Sequence, residues 1–126
     1  MMSTLSLVAL GGATGAVLRW LCGVAVLRLY GPQEFPVAVL GVNILGSFLM
    51  GVFVVAAAQK GLTQLSPLVM TGLLGGFTTF SAFSLETVTL IERGQVAWAG
   101  LYVALSVGLS ILALMLGLWL ARGVLS

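Results

Sequence analysis

Four long apolar stretches, separated by short polar or helix-breaking connections, leave this chain only one solvent in which to fold. They cover about residues 5–29, 36–58, 67–91 and 96–121. A helix crosses the hydrocarbon of a bilayer with about 20 mostly apolar residues, and each stretch is long enough. The connections hold Tyr30-Gly31-Pro32-Gln33-Glu34, Gln59-Lys60-Gly61 and Glu92-Arg93-Gly94-Gln95. Composition closes off the soluble alternative. Hydrophobic residues make up 60% of the chain and charged residues 6%, with a mean hydropathy of +1.22. A soluble domain carries roughly a quarter charged residues, and so few charges cannot clothe a water-facing surface. The expected fold class is therefore an all-α membrane protein, with residues 1–126 forming a single domain of four transmembrane helices. There is no room for a soluble domain.

The first stretch differs from a cleaved leader, because it lacks a basic start, its apolar run is long and Arg19 lies inside it. It is read as a retained span. The one cysteine, Cys22, falls in that span and reads as a small packing residue. The chain has no histidine. Imidazole-based metal sites and catalytic triads are thereby excluded, and no carboxylate pair or nucleophile–base spacing replaces them. The residues argue against an enzyme.

With four spans, both termini and the Lys60 connection share one side, which holds Lys60 and Arg122, while the other side holds Arg28 and Arg93. Orientation normally follows an excess of Lys and Arg on the cytoplasmic side. Two against two gives none. The tie can be an accident of a chain with few charges. It can also mean that the chain inserts both ways and pairs head to tail, placing between two copies the inverted repeat that larger transporters carry within one chain. Glycines four apart, Gly11 with Gly15 and Gly72 with Gly76, suit the close backbone approach that drives helix association in lipid.

Polar groups inside hydrocarbon must be satisfied or used. Asn43 and Ser47 lie one turn apart in the second span, and Tyr102, Ser106 and Ser110 recur every four residues in the fourth, forming one hydroxyl stripe. Interhelical hydrogen bonding explains any one of them. A three-step stripe beside an Asn-bearing helix fits an ion-lined path better. The third span carries Gly75-Gly76-Phe77-Thr78-Thr79-Phe80-Ser81-Ala82-Phe83-Ser84, a run too rich in glycine and threonine for a continuous helix. A break near its middle would free carbonyls that lipid tolerates only when they are buried in protein, line a cavity or hold an ion. Phe80 and Phe83 share a helical face, and an aromatic edge carries partial positive charge suited to an anion. Glu86, one turn beyond Phe83, and Arg19 either pair with each other or face a water-filled vestibule.

These residues resemble the Fluc (CrcB) family of small bacterial fluoride channels along essentially the whole chain. The resemblance rests on the glycine-rich stretch from Gly11 to Trp20 with Gly15 and Arg19, on Gly41-Val42-Asn43, and most specifically on the run from Gly75 to Glu86. It implies a dual-topology, antiparallel homodimer in the bacterial inner membrane with two fluoride pathways. Asn43, Phe80 and Phe83 would match the family's pore asparagine and phenylalanine box, and Tyr102, Ser106 and Ser110 its polar track. The Gly75 and Thr78 carbonyls would match its structural sodium site at the dimer axis. The implied partners are a second copy of the chain, fluoride and the lipid bilayer, with no nucleic acid. The implied role is passive release of fluoride that entered a cell as neutral hydrogen fluoride.

The chief alternative is a small dual-topology multidrug exporter. Such a protein holds its cation and proton on a carboxylate in the first helix, where this chain has Arg19 and neither Asp nor Glu. A noncatalytic subunit of a larger membrane complex explains the packing glycines but not the hydroxyl stripe.

Overall fold

The computed structural model describes residues 1–32 and 35–125; Gln33 and Glu34 of the first connection lie outside the described residues. Those residues are helical almost throughout, and four helical spans are long and apolar enough to cross a membrane: Met2–Tyr30, Val37–Lys60, Thr63–Glu92 and Val96–Leu125. The first is α1 (Met2–Tyr30) and the second α2 (Val37–Lys60). The third is composite: a short 3₁₀ turn at Thr63–Leu65, π-helical turns over Pro67–Leu74, then α3 (Gly75–Phe77) and α4 (Phe80–Glu92). The fourth is α5 (Val96–Leu125).

Each span ends where its sequence supplies a stop. Gly31, Gly61 and Gly94 all take positive φ, at 77°, 67° and 79°, a conformation that costs glycine little and an L side chain more. Pro67 opens the π-helical turns at a position where its missing N–H leaves no bond unmade. Between α3 and α4 the chain leaves helical geometry for two residues. Thr78 has φ −82° and ψ 159°, and Thr79 has φ −152° and ψ 123°. Helix resumes at Phe80 because the Thr79 side chain accepts the Ala82 N–H at 3.1 Å as an N-cap.

Two glycine seams join the four spans in pairs. One joins α1 to the π-helical turns and α3. A Cβ on Gly72 would lie 2.9 Å from the Gly11 Cα, and one on Gly76 would lie 2.6 Å from the Gly12 carbonyl. Gly15 meets the backbone of Leu73 and Phe77 in the same way. The other seam joins α2 to α5, where Gly51 lies on the Leu114 carbonyl and Gly117 on the Phe48 carbonyl. In lipid no hydrophobic gain separates a helix pair from its solvent, so this backbone contact carries the association. Few side chains are buried outright. The core cluster is Leu90, Ala99 and Tyr102, with Phe35, Val39, Leu40 and Phe83 packed on it.

Candidate functional site

A cavity of about 360 Å³ opens where α2, α5 and the two extended threonines meet. Asn43, Phe80, Phe83, Ser106 and Ser110 line it, five of the six residues expected to mark an ion path. The sixth, Tyr102, is fully buried behind Phe83, with ring centroids 5.2 Å apart. Phe80 stands 5.4 Å from Phe83 with the ring planes at 57°. It is 78% exposed on the single chain, so one wall of the cavity ends in an uncovered aromatic ring. Ser47, Met50, Thr78 and Thr79 also face the space.

The hydroxyl stripe is the chemically distinctive part. Tyr102 Oη, Ser106 Oγ and Ser110 Oγ are all buried, and none reaches hydrogen-bond geometry with a partner. Tyr102 and Ser106 lie close enough for a weak attraction between their hydroxyls, which would use at most one of their two O–H donors. An orphaned buried hydroxyl costs roughly 1–3 kcal/mol, and most buried polar atoms in folded proteins are paired. Ordinary threonines of the same chain show the contrast. Thr14, Thr87 and Thr89 donate at 2.8 Å to the carbonyl one turn back. The stripe hydroxyls of Ser106 and Ser110 do not, and both serines border the cavity.

Asn43 meets the interrupted third span directly. Its Nδ2–H donates to the Thr79 carbonyl at 3.0 Å, and its Oδ1 accepts from the Thr79 N–H at 2.8 Å. Arg19 donates through Nε to the Gly76 carbonyl at 3.3 Å. Arg19 therefore does not pair with Glu86 within the chain. The arginine borders a side cavity with Trp20 and Val42, while Glu86 borders another with Phe35 and Pro36.

Gly75 and Thr78 lie at the interruption, and their carbonyls lose the donors that a continuous helix would give them. Thr79 N–H, the i+4 donor for Gly75, goes to Asn43. Ala82 N–H, the i+4 donor for Thr78, goes to the Thr79 hydroxyl. Thr78 itself looks backward, giving both its N–H (2.9 Å) and its hydroxyl (2.8 Å) to the Leu74 carbonyl. Gly75 is exposed on the single chain and has space around it, since an added Cβ would meet only the Met70 carbonyl, at 3.4 Å. Sequence reasoning treated Thr79 only as a poor helix former. Its place as a cap just before Phe80-Ser81-Ala82 was the available signal, because threonine before an apolar helical run marks a helix start.

Residues 6–118 match the family model described as CrcB-like protein, Camphor Resistance (CrcB). The chain is 69% identical over 126 residues to a protein of a Ruegeria species, covering 100% of both chains. It is 68% identical over 124 residues to one from Roseobacter denitrificans, covering 98% of each. A Jannaschia relative is 80% identical over 103 residues, which are 79% of this chain and 98% of that protein. All three bear the name fluoride-specific ion channel FluC. With the match running from the start of α1 to the last turns of α5 and crossing every element of the cavity, the chain belongs to the CrcB family.

Proposed function

We propose that this chain is a fluoride-selective channel, that two copies associate as an antiparallel dimer, and that each cavity forms part of one anion path. The observation that carries the reading is the row of unpartnered hydroxyls at Tyr102, Ser106 and Ser110 beside the cavity bordered by Asn43, Phe80 and Phe83. Fluoride is small and strongly hydrated, and a pore that strips its water must return hydrogen bonds. O–H and amide N–H groups donate them without a fixed positive charge. The rings of Phe80 and Phe83 present edges of partial positive charge. Neutral donors and ring edges hold an anion weakly enough to release it, which conduction requires. The relatives that bear the name of a fluoride channel support the same reading. No covalent chemistry and no energy source enters it. A passive path in the bacterial inner membrane lets out fluoride that entered as hydrogen fluoride and ionised inside.

The dimer is supported by what a single chain leaves uncovered. Phe80, which lines the cavity, is 78% exposed, and Gly75 at the interruption of the third span is exposed as well. The charge tie between Lys60 with Arg122 and Arg28 with Arg93 favours insertion in both orientations. A sodium ion between the copies is supported by the Gly75 and Thr78 carbonyls, hard oxygen ligands deprived of their helical donors. When bound, the ion would supply the positive charge that balances carbonyl dipoles held in a low-dielectric surrounding. Gly75 and Thr78 would hold it from each copy, and Asn43 and the Thr79 hydroxyl would keep the competing N–H groups away.

Fluoride efflux from liposomes containing the purified chain, with chloride as the control anion, tests the reading. Rapid, chloride-excluding release of fluoride is expected. Release of both halides alike, or of neither, would remove it.

A further inference from the structure

We infer that Asn43 is the positioning residue that keeps the third span open, beyond any contact it makes with an anion. The inference rests on the channel reading only for the purpose the opening serves. Both polar ends of the Asn43 amide are committed to one residue: Oδ1 to the Thr79 N–H at 2.8 Å and Nδ2 to the Thr79 carbonyl at 3.0 Å. That is the two-bond pattern by which one strand residue holds another, and Thr79 has strand geometry, with φ −152° and ψ 123°. The pattern fixes which way the amide faces. Turned over, it would set N–H against N–H and oxygen against oxygen. One N–H of the amide then remains for the cavity, and its direction is set by the grip on Thr79.

What this does to the span follows from donor accounting. The Leu74 carbonyl takes the Thr78 N–H, Arg19 takes the Gly76 carbonyl, and Asn43 takes the Thr79 carbonyl. Gly75 and Thr78 are left with carbonyls whose regular donors have been redirected, Gly75 by Asn43 itself. Gly46, one turn beyond Asn43 on α2, has no Cβ where the Thr78 methyl lies. The same short stretch of α2 thus grips Thr79 and makes room for Thr78. Without the grip, the Thr79 N–H is released for the Gly75 carbonyl, its acceptor in a continuous helix, and the turn can close.

The sequence offers a specific probe, because Thr78-Thr79 is its only adjacent threonine pair. Protein made with threonine carrying ¹³C at the carbonyl and ¹⁵N at the amide gives one cross-peak joining the Thr78 carbonyl to the Thr79 nitrogen. Both atoms of interest are read at once, on the full chain in lipid nanodiscs. In Asn43→Leu, similar in size but unable to hydrogen-bond, the peak is expected to move in proton and nitrogen. In Asn43→Asp at a pH low enough to protonate the carboxyl, its oxygen accepts the Thr79 N–H and its O–H donates to the Thr79 carbonyl, so the peak should return toward the parent position. Should Asn43→Leu not assemble, Asn43→Ser, too short to reach Thr79, serves for the same comparison. A peak unmoved in the leucine or serine variant, with fluoride flux lost, would make Asn43 an anion contact alone and overturn the inference. Exchanging sodium for potassium on the parent protein is a separate arm. A Thr78 carbonyl that ignores the exchange sinks the cation reading, while a moved peak in Asn43→Leu still supports the grip.

Discussion

Phe80 and Phe83 differ in a way their shared helical face does not announce. Phe83 is wedged between Phe80 and the buried Tyr102, whereas Phe80 is 78% exposed on the single chain. Replacing Phe80 with isoleucine removes the ring edge and disturbs little packing, so its stability cost should stay within about 1–3 kcal/mol. Fluoride flux from liposomes should nevertheless fall by orders of magnitude while the protein elutes normally on gel filtration. Phe83→Ile should lose flux as well and cost more stability, because it leaves a gap against Tyr102. Near-normal flux in both variants would make these rings ordinary packing. Ser110→Ala is expected to slow flux less than either, since Tyr102 and Ser106 keep their hydroxyls in the same row. Phe80→Met is a useful intermediate, its flexible, polarisable side chain partly replacing the ring.

At the scale of elements, the two glycine seams set the spacing of the helices. Gly51→Ala or Gly117→Ala would drive a Cβ into the facing backbone carbonyl of Leu114 or Phe48. Backbone cannot rotate aside as a side chain can. The α2–α5 pair must therefore spread, at about 1–3 kcal/mol, visible as a lower unfolding temperature in detergent. Gly100→Ala is the control: nothing lies within 4 Å of its added Cβ, and alanine favours helix over glycine by roughly 0.5–1 kcal/mol. A lowered unfolding temperature for Gly100→Ala would mean that another chain covers that face. Gly75→Leu examines the third span differently. On the single chain a Cβ there meets only the Met70 carbonyl, at 3.4 Å, and the expected harm is a loss of dimer on crosslinking in nanodiscs. Thr78→Ser should be tolerated, because serine keeps the hydroxyl that donates to the Leu74 carbonyl. A Gly75→Leu chain that crosslinks and conducts like the parent would exclude a close approach there.

For the whole molecule, orientation is the open variable. Lys60 with Arg122 faces Arg28 with Arg93 across the bilayer, a balance that two or three added charges should tip. Lysines introduced into the connection between Gln59 and Gln64 are expected to force a single orientation and abolish fluoride release from cells expressing that variant alone. Coexpression with a variant biased the opposite way should restore release. Full activity of one biased variant by itself would exclude an antiparallel pair.

How much of this was legible in the sequence follows from the range of the forces involved. Span number and span ends are properties of local hydropathy and local stereochemistry, so four apolar runs and the glycines at 31, 61 and 94 marked them without any partner. The Gly11/Gly15 and Gly72/Gly76 spacings pointed to a tight helix contact, and the structure sets Gly11 against Gly72, Gly15 against Leu73 and Phe77, and Gly76 against Gly12. The Gly51–Gly117 seam has no glycine pair four apart to mark it. Residue type likewise marked Asn43, Phe80, Phe83, Ser106 and Ser110, since polar and aromatic groups stand out against hydrocarbon. The partner of each group was not readable, because a hydrogen bond is settled by which atoms come within 3 Å, and residues far apart in the chain meet only after packing. Thus only the tertiary structure gave Arg19 to the Gly76 carbonyl rather than to Glu86, and turned Asn43 toward Thr79. The same packing left the hydroxyls of Tyr102, Ser106 and Ser110 buried without partners, an outcome fixed by where the helices come to rest and not by residue type.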